Sequence, residues 1–467
     1  MLAHLLLCLC LVQCLATSLA QNHEQKILRN GDKESSPLNA DLERLIKSSL
    51  EAWHVPGISI GVFDGDEGWA EGYGIATLPS TPVTPSTLFY GVSTTKAFTA
   101  AAMEILISSS NYSKHFPQSW KTPVSSLIPE DFVLEDPWTT AHITIEDILS
   151  HRTGMPRHDF SYGGTYEGRN STPRDVVRAL RFLPLTEEPR AFSNSDAISS
   201  PHHFAQGYVF YNNTYLPVPY TEDLITNAAA GSPPPEESYR DYLTPRMLRA
   251  SSDVPYTGTT SYALGWETST CKGYEFYEHS GGVEAFGSHV IFFPEIGFGV
   301  CAFGNTGITS NVVELIAIWR IIDERLGVKE EERFDWGAKF NRFFSKRSAD
   351  YNSSLSRFYP SIPSPVLLPT LSMSSYAGTY FHPAYRNFTI THWPHTNTLH
   401  ADRIDVAWKI DFDFEHISGD YFMAYVDSKV APGPRFQAGY GSGVPSWEWR
   451  NGGEVRDCVG AGDGNGR

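Results

Sequence analysis

The chain reads as an α+β protein followed by a smaller antiparallel β module, and three patterns carry that reading. Aromatic and β-branched runs at Ser261 to Glu267, Gly273 to His279, Gly287 to Phe293 and Gly297 to Phe303 are separated by turn residues, as consecutive antiparallel strands are. An apolar stripe at helical spacing follows on Val312, Val313, Leu315, Ile316, Trp319, Ile322 and Leu326, up to Gly327, and predicts a helix that covers that sheet. From Ile404 to Phe414 every even position is apolar, while the odd positions are Asp405, Ala407, Lys409, Asp411 and Asp413. That period of two predicts a strand with one wet face.

Taken from the start, Leu2 to Ala16 is apolar and is followed by Ser18, Leu19 and Ala20, so residues 1–20 read as a signal peptide and the chain as secreted, with no membrane span after cleavage. No Lys or Arg precedes Leu5, which leaves an uncleaved anchor as the alternative. Removal of that segment takes Cys8, Cys10 and Cys14 and leaves Cys271, Cys301 and Cys458, at most one internal disulfide. Secretion would make Asn111, Asn170, Asn352 and Asn387 glycosylation acceptors. A fifth, Asn212, is expected to stay unmodified because it adjoins a candidate catalytic residue.

The first domain is expected over 38–345. Ile58, Ile60 and Val62 alternate with small residues before the Asp64-Gly65-Asp66 turn and Trp69 to Tyr73, a hairpin pattern. Thr144 with Asp147 three residues on predicts the start of a short helix that Gly154 and Pro156 end. A Ser/Pro-rich linker is expected over 346–371, a β domain over 372–450 and a tail over 451–467. In the β domain, Ser418-Gly419-Asp420 turns the alternating strand into Tyr421 to Val426.

The composition excludes several functions. Fifty-three acidic residues against 36 basic ones give a formal charge of −17, which repels a phosphate backbone, so no nucleic-acid partner is expected. His-Glu-x-x-His is absent, and His151, His158, His202 and His203 lack the acidic spacing of a zinc site. Gly-x-Ser-x-Gly and a phosphate loop are absent too. No metal and no cofactor are expected, and Glu187-Glu188 and Glu236-Glu237 read as solvated loop charges.

Ser93 and Lys96 fall at the start of an Ala-rich segment. On a helix, positions three apart share a face, so the amine reaches the hydroxyl and can act as its base. With 46 serines and 12 lysines in 467 residues, chance supplies about one such pair, and Ser269 with Lys272 is a second. That pair lies between expected strands, where this spacing does not bring side chains together. Packing around Ala97, Ala100, Ala101 and Ala102 would bury Lys96 and disfavour its charge, and a helix N-terminus at Ser93 would favour a developing oxyanion. Tyr211 and Asn213 form Tyr-x-Asn, where a Tyr beside a buried Lys could shuttle a proton. In Glu278-His-Ser-Gly-Gly282, the glycines let the backbone approach a ligand, and His279 and Ser280 could bond its carboxylate or carbonyl.

In this order, Ser-x-x-Lys, Tyr-x-Asn and His-x-Gly resemble the serine β-lactamase and penicillin-binding-protein-like family, in its secreted fungal-type form. Asp147-Ile-Leu-Ser-His-Arg-Thr-Gly-Met-Pro156 looks like a signature of that family, and Tyr262-Ala-Leu-Gly-Trp266 precedes the third motif as expected. The resemblance covers Leu38 to Gly327. Ser375-Tyr-Ala-Gly-Thr-Tyr380 is similar to the start of the lipocalin-like C-terminal domain of some members, an antiparallel β-barrel with a structural or substrate-gating part.

The resemblance implies a β-lactamase-like antiparallel sheet flanked by helices. It also implies an acyl-enzyme on Ser93, proton handling by Lys96 and Tyr211, and orientation of a small ester or amide by Asn213, His279, Ser280, Gly281 and Gly282. The backbone N–H groups of Ser93 and Gly282 would form the oxyanion hole. His279 stands where other members have Lys, which favours ester or amide cleavage over β-lactam hydrolysis. Tyr211 and His279 are only 68 positions apart, with prolines at 217, 219 and 233–235, so the helical subdomain is expected to be shortened. Beside a hydrolase, the sequence leaves open an acyltransferase of secondary metabolism and a catalytically silent binding protein, and it leaves the oligomeric state open.

Overall fold

The computed structural model describes residues 29–30, 35–155, 158, 161, 163–166, 168–185, 207–211, 214–218, 241–251, 254–283, 285–429, 436–437, 446–449 and 455–458. The expected signal segment, Asn212 and Asn213 lie outside the described residues.

Helix α1, Ala40–Ala52, starts on Asn39, whose side-chain oxygen accepts from the N–H groups of Asp41 and Leu42, both at 3.0 Å. The cap satisfies two donors that every helix start leaves open. Strand β1, Gly57–Asp64, turns through Gly65 into β2, Glu67–Thr77, and the register sets Ile58 against Tyr73 and Val62 against Trp69. Gly65 has a φ of 61°, the left-handed conformation that such a turn requires.

The helix α2, Thr95–Ser108, follows, then the short helix α3, Ile145–Leu149, and α4, Pro173–Ala179. At α3 the expected capping box is complete: Thr144 Oγ1 accepts from the Asp147 N–H, and an Asp147 carboxylate oxygen accepts from the Thr144 N–H. A hairpin of β3, Gly207–Tyr211, and β4, Thr214–Val218, precedes six further strands. These are β5, Met247–Ser251; β6, Thr259–Tyr262; β7, Glu267–Cys271; β8, Tyr274–Val283; β9, Phe286–Phe293; and β10, Phe298–Gly304.

The main sheet runs β2-β1-β10-β9-β8-β7-β6-β5, antiparallel throughout, with Arg29–Asn30 added in parallel beside β2. The first and last of these strands in chain order are neighbours, since β10 pairs with β1. The run from Ser261 to Glu267, expected as one strand, is two strands broken at 263–266. There Gly265, at φ 71°, lies so close to α2 that a Cβ would stand 2.4 Å from the Lys96 carbonyl oxygen. The two strands are antiparallel partners, and 263–266 is the hairpin turn between them, closed by the Ala263 N–H on the Trp266 carbonyl at 2.7 Å.

Alternation in β8 divides the core between the two faces of the sheet. Phe276 joins Ile58, Ile60, Ile291 and Phe293 on the face covered by α1 and by α5, Thr309–Arg325, which contributes Val313, Ala317, Ile318 and Ile322. Tyr277 joins Ala100, Ile107, Ile145, Tyr242 and Leu264 on the face covered by α2 and α3.

Helix α6, Trp336–Asn352, crosses the boundary expected at 346, and Ser354–Phe358 is helical as well. Asp335 caps α6 by accepting from the Ala338 N–H at 2.8 Å, and Lys346 pairs with Asp350 one turn on. These local bonds hold as helix what the Ser content alone assigns to a linker. Within the expected linker, irregular chain is confined to residues from 359 on.

The C-terminal module is a separate antiparallel sheet of β11, Gly378–His382; β12, Arg386–Trp393; β13, Thr398–Arg403; β14, Ile410–Ser418; β15, Tyr421–Ser428; and β16, Phe436–Gln437. They pair in that order; among the described residues no pairing joins β16 to β11. The alternation begun at Ile404 becomes strand only from Ile410. Residues 404–409 instead bend against the first domain: Val406 and Ala407 are buried, and the Thr165 N–H donates to the Asp405 carbonyl at 2.9 Å. Of the apolar even positions before Ile410, Val406 thus serves a domain contact, while Ile404 stays exposed.

Candidate active site

Ser93 stands in a 3-10 turn, Val92–Thr94, that runs directly into α2. Before it, Val92 adopts φ 51°, a conformation that costs a β-branched residue about 1–3 kcal/mol and persists only where neighbours enforce it. The enforcing bonds converge on the Gly91 carbonyl, which accepts from the Thr94 N–H at 3.2 Å, from Thr94 Oγ1 and from Ser288 Oγ at 2.8 Å. Strand β9 therefore holds the turn that presents Ser93.

One turn further on, Lys96 Nζ lies 2.7 Å from Ser93 Oγ. Ser93 is half-buried and Lys96 is 9 % exposed. The structure brings this pair together as the spacing predicts. Ser269 and Lys272 diverge: the first hydroxyl donates to the Gly258 carbonyl, while the lysine faces Glu332.

The third motif lies on β8 beside this turn. A Cβ added at Gly281 would stand 2.8 Å from the Ser93 nitrogen and 2.3 Å from Ser288 Oγ, so only glycine permits the strand to approach the nucleophile. Ser280 and Gly282 are exposed on either side of it.

His279 is 6 % exposed. Its Nδ1 lies 2.6 Å from the Ser280 carbonyl oxygen and so carries the proton, which leaves Nε2 to accept from the Tyr262 hydroxyl at 2.9 Å. Both ring nitrogens are engaged inside the protein. Burial first, then the neighbouring Lys96 charge, pushes the imidazole down to about 3, so the ring is neutral at any physiological pH. The Tyr262 phenol is pushed far above its ordinary value, chiefly by burial.

Behind Tyr262 packs His151, with ring centroids 4.5 Å apart. The segment bearing it is fixed by the Arg152 guanidinium, which reaches Asp147 Oδ1 and Glu146 Oε1, both at 2.7 Å, and by the Gly265 N–H donating to the Leu149 carbonyl at 3.0 Å. Residues 146–152 thus brace the site from below. Tyr262 and His151 lie inside sequence motifs that assign neither a part in the site, and Ser288 lies in none of them. Their hydrogen-bonding or ring partners are remote in sequence.

Tyr211 ends β3, opposite Thr214; its side chain and Asn213 lie outside the described residues. The hairpin is tied to the main sheet where the Tyr208 N–H donates to the Asn305 carbonyl at 2.9 Å, and Tyr208 Oη accepts from the Leu78 N–H at 2.7 Å.

Comparison with known proteins bears on this constellation. A family model described as Beta-lactamase matches residues 42–201. The chain is 34 % identical over 457 residues to the unguisins hydrolase ungD' of Aspergillus campestris, across 84 % of this chain and 85 % of that protein. It is 34 % identical over 480 residues to the unguisins hydrolase ungD of Aspergillus violaceofuscus, across 85 % of this chain and 84 % of that one. Among solved structures, an octameric penicillin-binding protein homologue from Pyrococcus abyssi aligns with a TM-score of 0.48 and 16 % identity, over 84 % of this chain and 94 % of that chain.

Proposed function

This chain belongs to the β-lactamase-related serine hydrolase family, and from that premise we propose that it is a secreted hydrolase that opens a small ester or amide through an acyl-enzyme on Ser93. The observation that carries the reading is the 2.7 Å contact between Ser93 Oγ and the buried Lys96 Nζ. A buried amine disfavours its cationic form, and a neutral amine at this distance can accept the hydroxyl proton as Oγ attacks the carbonyl carbon.

The negative charge that develops on the carbonyl oxygen is met by the N–H groups of Ser93 and Gly282. Collapse of this intermediate breaks the ester or amide bond, and the proton held by the amine passes to the leaving alcohol or amine, with Tyr211 as its carrier. Water then attacks the acyl carbon, releases the acid and returns the proton to Ser93. Asn213, Ser280 and the edge of β8 orient the substrate, while His279 supports the strand beneath it. Relatives named unguisins hydrolases direct the choice of substrate panel toward unguisins first. Asn111, Asn170, Asn352 and Asn387 are all exposed and in a secreted chain would carry glycans.

A fluorophosphonate probe tests the mechanism by labelling Ser93, with the modified peptide identified by mass spectrometry. Ser93→Ala should abolish labelling, and Lys96→Ala should lower turnover by about 10²–10⁴-fold. Equal labelling of Ser93→Ala, or undiminished turnover by Lys96→Ala, would remove the assignment. Product analysis with added alcohols or amines distinguishes hydrolysis from acyl transfer.

A further inference from the structure

Beneath the Gly281–Gly282 segment, on the face opposite Ser93, lies a buried polar group that the mechanism above does not use. Asn311, on α5, donates from Nδ2 to the Gly281 carbonyl oxygen at 2.8 Å and to Glu314 Oε2 at 2.9 Å. Glu314 is 0 % exposed. Two glycines of the sheet make room for its carboxyl: a Cβ at Gly287 would stand 2.5 Å from Glu314 Oε1, and one at Gly304 would stand 3.2 Å from it.

The Gly281 carbonyl and the Gly282 N–H belong to one trans peptide unit and point in opposite directions. A donor on the carbonyl fixes the orientation of the plane and, by polarising the amide, strengthens its N–H as a donor. We propose that Asn311 and Glu314 are positioning residues that orient and polarise the Gly281–Gly282 peptide, so that its N–H is ready for the oxyanion formed at Ser93. The proposal rests on the acyl-enzyme reading above and adds to it a pair acting from behind the strand.

Glu314 performs this part as a neutral carboxylic acid. Ser310 and Asn311 from its own helix, the Gly304 N–H from β10 and Gly287 from β9 face it, and none of them ionises. Its Oε1 makes no well-formed hydrogen bond, and Ser310, Asn311 and the Gly304 N–H, which favour the charged form, offset its burial only in part. Burial pushes the group up to about 8. Ionisation would set a full negative charge behind the oxyanion and draw Asn311 away from the Gly281 carbonyl, and both effects weaken stabilisation of the transition state.

The test begins with probe labelling of Ser93 in the wild type; if that fails, the acyl-enzyme reading fails first and separately. With labelling established, pH–kcat profiles of the wild type, Glu314→Gln and Asn311→Ala are measured on one ester. Wild type should lose kcat above about pH 8. Glu314→Gln, which keeps the shape and an acceptor oxygen for Asn311, should retain activity at pH 7 and exceed wild type by roughly tenfold at pH 9. Asn311→Ala should lower kcat at least tenfold with KM little changed. An unmoved alkaline limb in Glu314→Gln, or an unchanged kcat in Asn311→Ala, overturns the proposal. Should a variant fail to fold, infrared difference spectra of the wild type carry the test. A carboxylic-acid band that persists at pH 7 and is lost with kcat supports the proposal, and its absence at pH 7 overturns it.

Discussion

His279 shows how one buried ring couples the site to stability. An ordinary histidine takes up its proton near pH 6.5, whereas this one is held down to about 3. Between those limits the unfolded chain binds a proton that the folded chain refuses, so stability falls as pH drops from about 6.5 toward 3. The slope this residue contributes is at most about 1.4 kcal/mol per pH unit. Urea unfolding at pH 7 and pH 4.5 should show a smaller acid loss in His279→Asn than in the wild type, and identical losses would assign the pH dependence to other groups. The residue was legible as a motif member because His-Ser-Gly-Gly is contiguous. Its partner Tyr262, 17 positions earlier, was not, because a hydrogen bond across the intervening strand β7 joins the two.

Helix α5 was fully legible as an element, since its apolar stripe has to be buried wherever it packs. Ile318 is 0 % exposed between the sheet and α1. Ile318→Ala should therefore cost about 2–5 kcal/mol, lost transfer energy plus a residual cavity, read as a lower urea midpoint with an unchanged m-value. A cost below 1 kcal/mol would mean that the layer collapses around the gap. The same helix carries Ser310, Asn311 and Glu314 onto the glycines of β9 and β10, and hydropathy alone gives these polar residues no such place. Strand β14 shows the converse failure, where a clean period of two spans both a domain contact at Val406 and a true strand from Ile410.

The two domains meet through the chain that follows the 147–156 motif. Arg386 donates to the Thr165 carbonyl and, at 3.1 Å, to the Gly163 carbonyl, while His158 Nδ1 and Tyr385 Oη lie 2.5 Å apart. Gly163 and Gly164 have φ of 79° and 62°, and a Cβ at either would stand within 2.5 Å of Ala407 or Asp405. Arg386→Ala leaves those carbonyls without their donor and should destabilise the interface by about 1–3 kcal/mol. Calorimetry should then show a broadened or split transition, and an unaltered single transition would mean that this contact does not couple the domains. A link from the β module to the segment bearing His151 follows from this docking, and nothing in the composition of either domain announced it.

By itself the sequence determined the α+β architecture, the Ser93–Lys96 pair, the hairpin at β1 and β2, the capped helix at Thr144 and the helix over the sheet. Each of these depends on residues within a turn or two of one another, where spacing fixes which side chains meet. Tertiary structure alone decided what surrounds the nucleophile: the β8 glycine against the Ser93 nitrogen, Tyr262 on His279, Ser288 on Gly91, and Asn311 with Glu314 behind the strand. Those contacts join strands and helices far apart along the chain, and their partners are chosen by sheet register and close packing, which no local period encodes.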